Sequence, residues 1–174
     1  MKYIAFLRGI NVSGQKKILM ADLKLALQDA GFENIITYIQ SGNLVFESKH
    51  TDTISIQNTI QKVIFDKFQF QVPTIVLTKA ELQTIINQNS FLTIQDFNEK
   101  RMYFTLLFEK PKADLIEKLL VSNEYKIVDN VIYMHLNESY GDTKLNNNYF
   151  EKVLKTKATT RNLNTMLKML ELAK

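Results

Sequence analysis

Short apolar runs and helix-spaced apolar positions follow one another along this chain in a regular order. Tyr3 to Leu7 is an apolar run ended by the turn formers Gly9, Asn11, Ser13 and Gly14, and it predicts a strand. From about Ala21, the residues Leu23, Ala26, Leu27 and Ala30 fall at i, i+3, i+4 and i+7, which puts them on one face of a helix stopped by Gly31. Two further apolar runs, Ile35 to Gln40 and Asn43 to Glu47, flank Ser41-Gly42, and glycine in a two-residue connection predicts a hairpin. A helix over about Thr53 to Phe68 would bury Ile56, Ile60, Val63 and Ile64, and Pro73 to Leu77 reads as a strand.

The resulting order, β-α-β-β-α-β, predicts an α+β fold whose first part is a ferredoxin-like unit. After a helix near Lys79 to Asn89, part of the order recurs. Met102 to Phe108 predicts a strand and Ala113 to Val121 a helix. Tyr125 to Val128 and Val131 to Leu136 predict a hairpin turned at Asp129-Asn130. Two helices are expected to close the chain, over about Leu145 to Leu154 and over a segment carrying Leu163, Met166, Leu167 and Leu170, with Met166 and Met169 as core filler. The second part is therefore expected to be a βαββα unit in which a helix takes the place of the last strand. The weakly patterned Gln95 to Lys100 sets a soft boundary between 1–95 and 96–174 inside one compact body.

Composition narrows the chemistry. A chain of 174 residues with 45% hydrophobic and 23% charged residues has the profile of a folded globular protein. It has no cysteine, which excludes disulfides, thiolate nucleophiles and cysteine-ligated zinc. The apolar run at the amino terminus is too short for a secretory signal, and no stretch approaches the ~20 apolar residues of a membrane span, so a cytoplasmic protein with no membrane partner is expected. His50 and His135 are the only histidines and lie in no metal-binding spacing, so neither a metal nor a cofactor is expected. Strand alternation sets His135 beside Tyr133, where a hydrogen-bonded or exposed histidine is expected rather than a general base. Gly9 and Gly14 have the glycine spacing of a phosphate loop, but Gln15 and Lys16 replace its Lys and Ser/Thr, which argues against nucleotide hydrolysis.

The net charge of +4 is unevenly spread. Residues 1–24 carry +4 and residues 144–174 carry +5, against −5 between them. If the two basic ends form one face it would attract anions; otherwise these lysines are simply solvated. Three polar blocks stand out: "FLRGINVSG" (6–14), "TYIQSGNLVFES" (37–48) and "TTRNLNTMLKMLELAK" (159–174). Through these blocks the chain resembles the bacterial family called domain of unknown function 1697. The resemblance implies an α+β fold and a cytoplasmic bacterial protein, and it brings no substrate, cofactor or catalytic residue. Two positions depart from the pattern that the resemblance implies: Ser13 stands where a second glycine is expected, and Leu163 where a tryptophan is usual.

In a split βαβ unit the end of the first strand and the hairpin of the next two emerge at one sheet edge, beside the start of the first helix. Arg8, Gly9, Asn11, Lys16 and Lys17 should then lie near Tyr38, Ser41, Gly42 and Asn43, next to free helix N–H groups, as an anion-binding rim. The alternative is that Arg8 and Asn43 only tie down two turns. Lys144, Arg161, Asn162 and Asn164 are a second set of candidate ligand residues, with Thr159 or Thr160 expected to cap the last helix. The expected partner is a phosphate-bearing small molecule or nucleic acid. Two other functions stay open. One is an enzyme for a small anionic substrate, with Arg8, Asn43 and Arg161 as electrostatic stabilisers and Tyr38 or Lys16 as acid/base. The other is a protein-interaction or oligomerising module.

Overall fold

The computed structural model describes residues 1–174, and in it the chain divides into two units, Met1–Thr84 with Lys168–Lys174, and Ile85–Leu167. Unit 1 contains β1 (Lys2–Leu7), α1 (Met20–Asp29), β2 (Glu33–Tyr38), β3 (Asn43–Glu47), α2 (Thr53–Phe68) and β4 (Thr74–Thr78), and α3 (Lys79–Asn87) begins in it. Its sheet has the order β2-β3-β1-β4, with every neighbouring pair antiparallel. Period-2 alternation in β1 turns Tyr3, Ala5 and Leu7 to one face, where they form a buried cluster with Leu23 and Leu27 of α1 and Ile56, Ile60 and Ile64 of α2. Both helices therefore cover the same side of the sheet, and each fully buried aliphatic side chain contributes about 1.5–3 kcal/mol. Asp52 caps α2 by accepting from the Ser55 N–H at 2.8 Å, and α2 ends where Gln69 turns left-handed at φ 63°.

Two features of β2 differ from the pattern read in the sequence. It starts at Glu33, and its pairing with β3 shifts register between Glu33 and Ile36 around Asn34, whose φ is 51°. Its last pair is Tyr38 with Asn43. The connection is thus the four residues 39–42 rather than Ser41-Gly42 alone, with Ile39 at φ 48° and Gly42 at φ 81°.

Unit 2 contains β5 (Met102–Leu107), α4 (Ala113–Ile116), β6 (Tyr125–Val128), β7 (Val131–His135), α5 (Asn147–Leu154) and β8 (Ala158–Asn162), and α6 (Leu163–Leu172) begins in it. The sheet order is β6-β7-β5-β8, again antiparallel throughout. The hairpin turns at Asp129-Asn130 as predicted, with Val128 paired to Val131. A core of Leu107, Ile132, Met134, Phe150, Leu154 and Ala158 lies on one face of this sheet. Met166 and Met169 are fully buried.

The second half therefore possesses the final strand it was expected to lack. β8 pairs along β5 from Leu107 with Ala158 to Tyr103 with Asn162, so Thr159 and Thr160 are strand residues and cap nothing. The helix cap is Asn162, whose Oδ1 accepts from the Thr165 N–H at 2.9 Å. Polar residues are tolerated here because each is satisfied: the Thr160 hydroxyl lies 2.7 Å from the Thr105 hydroxyl and donates to Asn147 Oδ1 at 2.7 Å. α4 is shorter than expected, since beyond Ile116 the chain continues in i→i+3 turns and Val121 has no apolar surface to cover. α5 starts at Asn147 rather than Leu145, because Asn146 accepts from the Tyr149 N–H and sets the boundary. No helix is long and apolar enough to cross a membrane.

Candidate functional site

In unit 1 the segments that topology brings to one edge do meet there. The Leu7 N–H donates to the Gly42 carbonyl at 2.8 Å, and the Arg8 N–H donates to the Pro73 carbonyl at 2.8 Å, so the exit of β1, the 39–42 turn and the approach to β4 meet at one sheet edge. The contact at Gly42 is close enough to demand glycine: a Cβ there would stand 2.6 Å from Leu7 Cβ and 2.9 Å from Ile10 Cδ1.

Between β1 and α1 the backbone repeatedly changes hand. Gly9, Asn11, Ser13, Gly14 and Lys16 all have positive φ, between 44° and 74°, whereas Ile10, Val12 and Gln15 do not. The loop closes on itself through its backbone, the Asn11 N–H donating to the Lys16 carbonyl at 3.2 Å and the Gln15 N–H to the Val12 carbonyl at 2.9 Å. Asn11 holds the loop in shape: its Nδ2 donates to the Gln40 carbonyl at 2.8 Å and the Ile18 carbonyl at 3.0 Å, and its Oδ1 accepts from the Ile18 N–H at 2.8 Å. Lys16 is tied down through its Nζ, which donates to the Gln71 carbonyl at 2.6 Å. Beside the loop is a cavity of about 360 Å³ lined by Asn11, Gly14, Lys17, Ile18, Leu19, Met20 and Gln40. Leu19 occupies the cap position of α1 and supplies no side-chain hydrogen bond, so the N–H groups of Met20, Ala21 and Asp22 precede the first helical bond, from Leu23 to Leu19, and have no partner within the helix. Asp22 is the acidic residue of that first turn.

The residues singled out from the sequence thus separate by task. Lys17 is exposed and lines the cavity. Arg8 and Gly9 are half-buried at the start of the loop. Asn43 is fully buried and spends its amide on the turn, donating to the Tyr38 carbonyl at 2.9 Å and to Ser41 Oγ at 3.0 Å. Lys144, Arg161, Asn162 and Asn164 belong to unit 2. There Arg161 is buried and donates to Thr159 Oγ1 and the Thr160 carbonyl, Asn162 caps α6, and Lys144 and Asn164 are exposed. Leu19, Met20 and Gln40 had not been marked as candidates. The signal for Leu19 is an apolar residue, second after the Lys16-Lys17 pair, at a helix start where a Ser, Thr, Asp or Asn cap is usual.

No curated protein matches the chain. Among solved structures it is similar to the conserved bacterial protein SP0830 from Streptococcus pneumoniae, with a TM-score of 0.72 and 22% identity over 99% of this chain and 98% of that one, a likeness of fold. The family described as "Protein of unknown function (DUF1697)" matches residues 1–133, which include the loop 8–19 and the 39–42 turn and stop short of the third polar block. With the greater part of its length so matched, the chain belongs to the DUF1697 family of proteins of unknown function.

Proposed function

We propose that each unit is a ferredoxin-like module and that the rim of unit 1 binds a phosphate-bearing small molecule in the cytoplasm. The observation that carries this reading is the uncapped start of α1 opening beside a cavity of about 360 Å³ that Lys17 and Gly14 also line. Three unpaired helix N–H groups, the positive end of the α1 dipole and a lysine are the parts from which anion sites are assembled. In this reading Lys17 and the N–H groups of Gly14 and Met20–Asp22 contact the anion. Asn11, Ser41, Gly42 and Asn43 shape the rim, and Arg8 and Lys16 add positive potential. A small molecule is favoured over a polynucleotide because the lining is a bounded concavity rather than a track of exposed aromatics and cations.

An NMR titration with inorganic pyrophosphate tests the proposal. The amides of residues 13–22 are expected to shift saturably, with roughly tenfold weaker binding for Lys17→Ala, the order of loss when one charge-assisted hydrogen bond goes. Binding should also weaken as salt rises. A titration that moves amides elsewhere, or one that Lys17→Ala leaves unchanged, overturns the reading. Saturable shifts with oligonucleotide but not with pyrophosphate would move the function to nucleic acid.

A further inference from the structure

A second groove, in unit 2, has no part in the rim. Its volume is about 710 Å³, and it lies between the segment Ser90–Arg101 and the strands β6 and β7. Arg101 and Lys126 line it against Asp96 and Glu124, so its charge selects neither an anion nor a cation. What distinguishes it is how its outer wall is fastened. The segment opens with a 3-10 turn, Ser90–Thr93, capped by Asn89, and the hydrogen bonds made by residues 93–98 stay within the segment with one exception. That exception is the Asn98 N–H, which donates to His135 Nε2 at 3.0 Å.

His135 is itself rigidly placed. Its backbone N–H donates to the Glu124 carbonyl at 2.8 Å. Its ring stacks with two aromatic rings of the segment, Phe91 at a centroid distance of 6.1 Å and 23° and Phe97 at 5.6 Å and 29°. A ring nitrogen that accepts a hydrogen bond carries no proton, so the imidazole in this arrangement is neutral with its hydrogen on Nδ1. Imidazolium has donors at both nitrogens and can accept from neither.

We infer that His135 is a pH-sensitive latch: the neutral imidazole holds residues 94–98 against the sheet, and its protonation releases them and opens the groove. Proton binding and the Asn98 bond compete for the same lone pair, so the closed segment is favoured at higher pH and the open one as pH falls through the range in which histidine gains charge. The charged groups that line the groove with the ring are of both signs: Asp96 and Arg101 of the segment, Glu124 just ahead of β6, and Lys126 of β6. The strand itself, Val131 to Met134, adds no charge. His50, the other histidine, lies in unit 1.

Amide hydrogen exchange and histidine 15N shifts, measured on the full chain between about pH 7.5 and pH 5.5, test the latch. After correction for intrinsic exchange, protection of the Asn98 amide should fall about tenfold, with a midpoint that tracks the His135 ring titration, while the amides of β5 and β7 keep theirs. At the upper pH the ring should show the Nδ1–H tautomer. His135→Gln, whose side-chain oxygen accepts without titrating, should make protection at Asn98 independent of pH. Unchanged protection while His135 titrates, an Nε2–H tautomer at the upper pH, or a pH dependence that persists in His135→Gln would each overturn the inference. The wild-type titration decides it even if the variant does not fold.

Discussion

Where β1 ends, the Leu7 N–H donates to the carbonyl of Gly42 in the hairpin and the Arg8 N–H to the carbonyl of Pro73 ahead of β4; where β5 ends, the Leu107 N–H donates to Asn130 and the Phe108 N–H to Lys157 ahead of β8. The backbone frame of the edge is thus built twice, bond for bond. What hangs on it differs. In unit 1 the chain takes the residues Arg8 to Leu19 to reach its first helix, through five positive-φ positions and past a cavity. In unit 2 it takes only Phe108 to Lys112, and Lys110 pairs with Asp129 of the hairpin at 2.9 Å. The turn 39–42 holds no carboxylate, so nothing in it neutralises Lys16 or Lys17. The comparison teaches that the shared hydrogen bonds position an edge, whereas loop length and the hairpin's charge decide whether that edge has room and potential for an anion.

The two edges can be set against each other directly. Gly42→Ala should have the largest effect, because its Cβ would meet the Cβ of Leu7 at 2.6 Å in a left-handed residue. A loss of about 2–4 kcal/mol is expected from overpacking and strain together. Its counterpart Asn130→Ala forfeits only the 3.2 Å bond from Nδ2 to the Leu107 carbonyl, about 1 kcal/mol or less. Equal midpoints for the two variants in urea would break the claim that unit 1 packs its turn more tightly. Next in size, Ser13→Gly should raise stability by about 0.5–1 kcal/mol, the left-handed strain relieved less the entropy glycine adds to the unfolded chain. A lowered midpoint would show that Ser13 is held by something other than its backbone conformation. Smallest is Lys110→Ala. With both partners mostly exposed, the pair contributes at most about 0.5 kcal/mol, and a thermal-unfolding shift clearly beyond that would mean that the ion pair fastens the unit 2 edge.

Much of this was legible in the chain. Seven of the eight strands coincide with short apolar runs or strict alternation, because their inward residues must be buried. β8 escaped because Ala158 to Asn162 carries four polar residues in five, a pattern that reads as a helix start. It is a strand because β5 offers it a full ladder and because Thr105 and Asn147, distant in sequence, satisfy its Thr160 hydroxyl. The β-branched pair Thr159-Thr160 was the local hint. At the rim, topology placed the loop and the hairpin together, but which amides would point inward depended on partners such as the Gln40 and Ile18 carbonyls, which no pattern in the sequence identifies. His135 was expected to be hydrogen-bonded or exposed. Its donor is a backbone amide, and amides carry no residue signature.

The register shift in β2 also bears on how copies of this chain behave in a crowded solution. β2 is the end strand of its sheet, and such a strand offers a row of amide and carbonyl groups that a second chain can extend. With Asn34 left-handed and the ladder interrupted between Glu33 and Ile36, that row is broken near its start, and Glu33 sets a charge beside the break. A flat cross-chain ladder therefore has no straight template here, which guards against fibre-like stacking at the edge where Ile36 is left partly exposed.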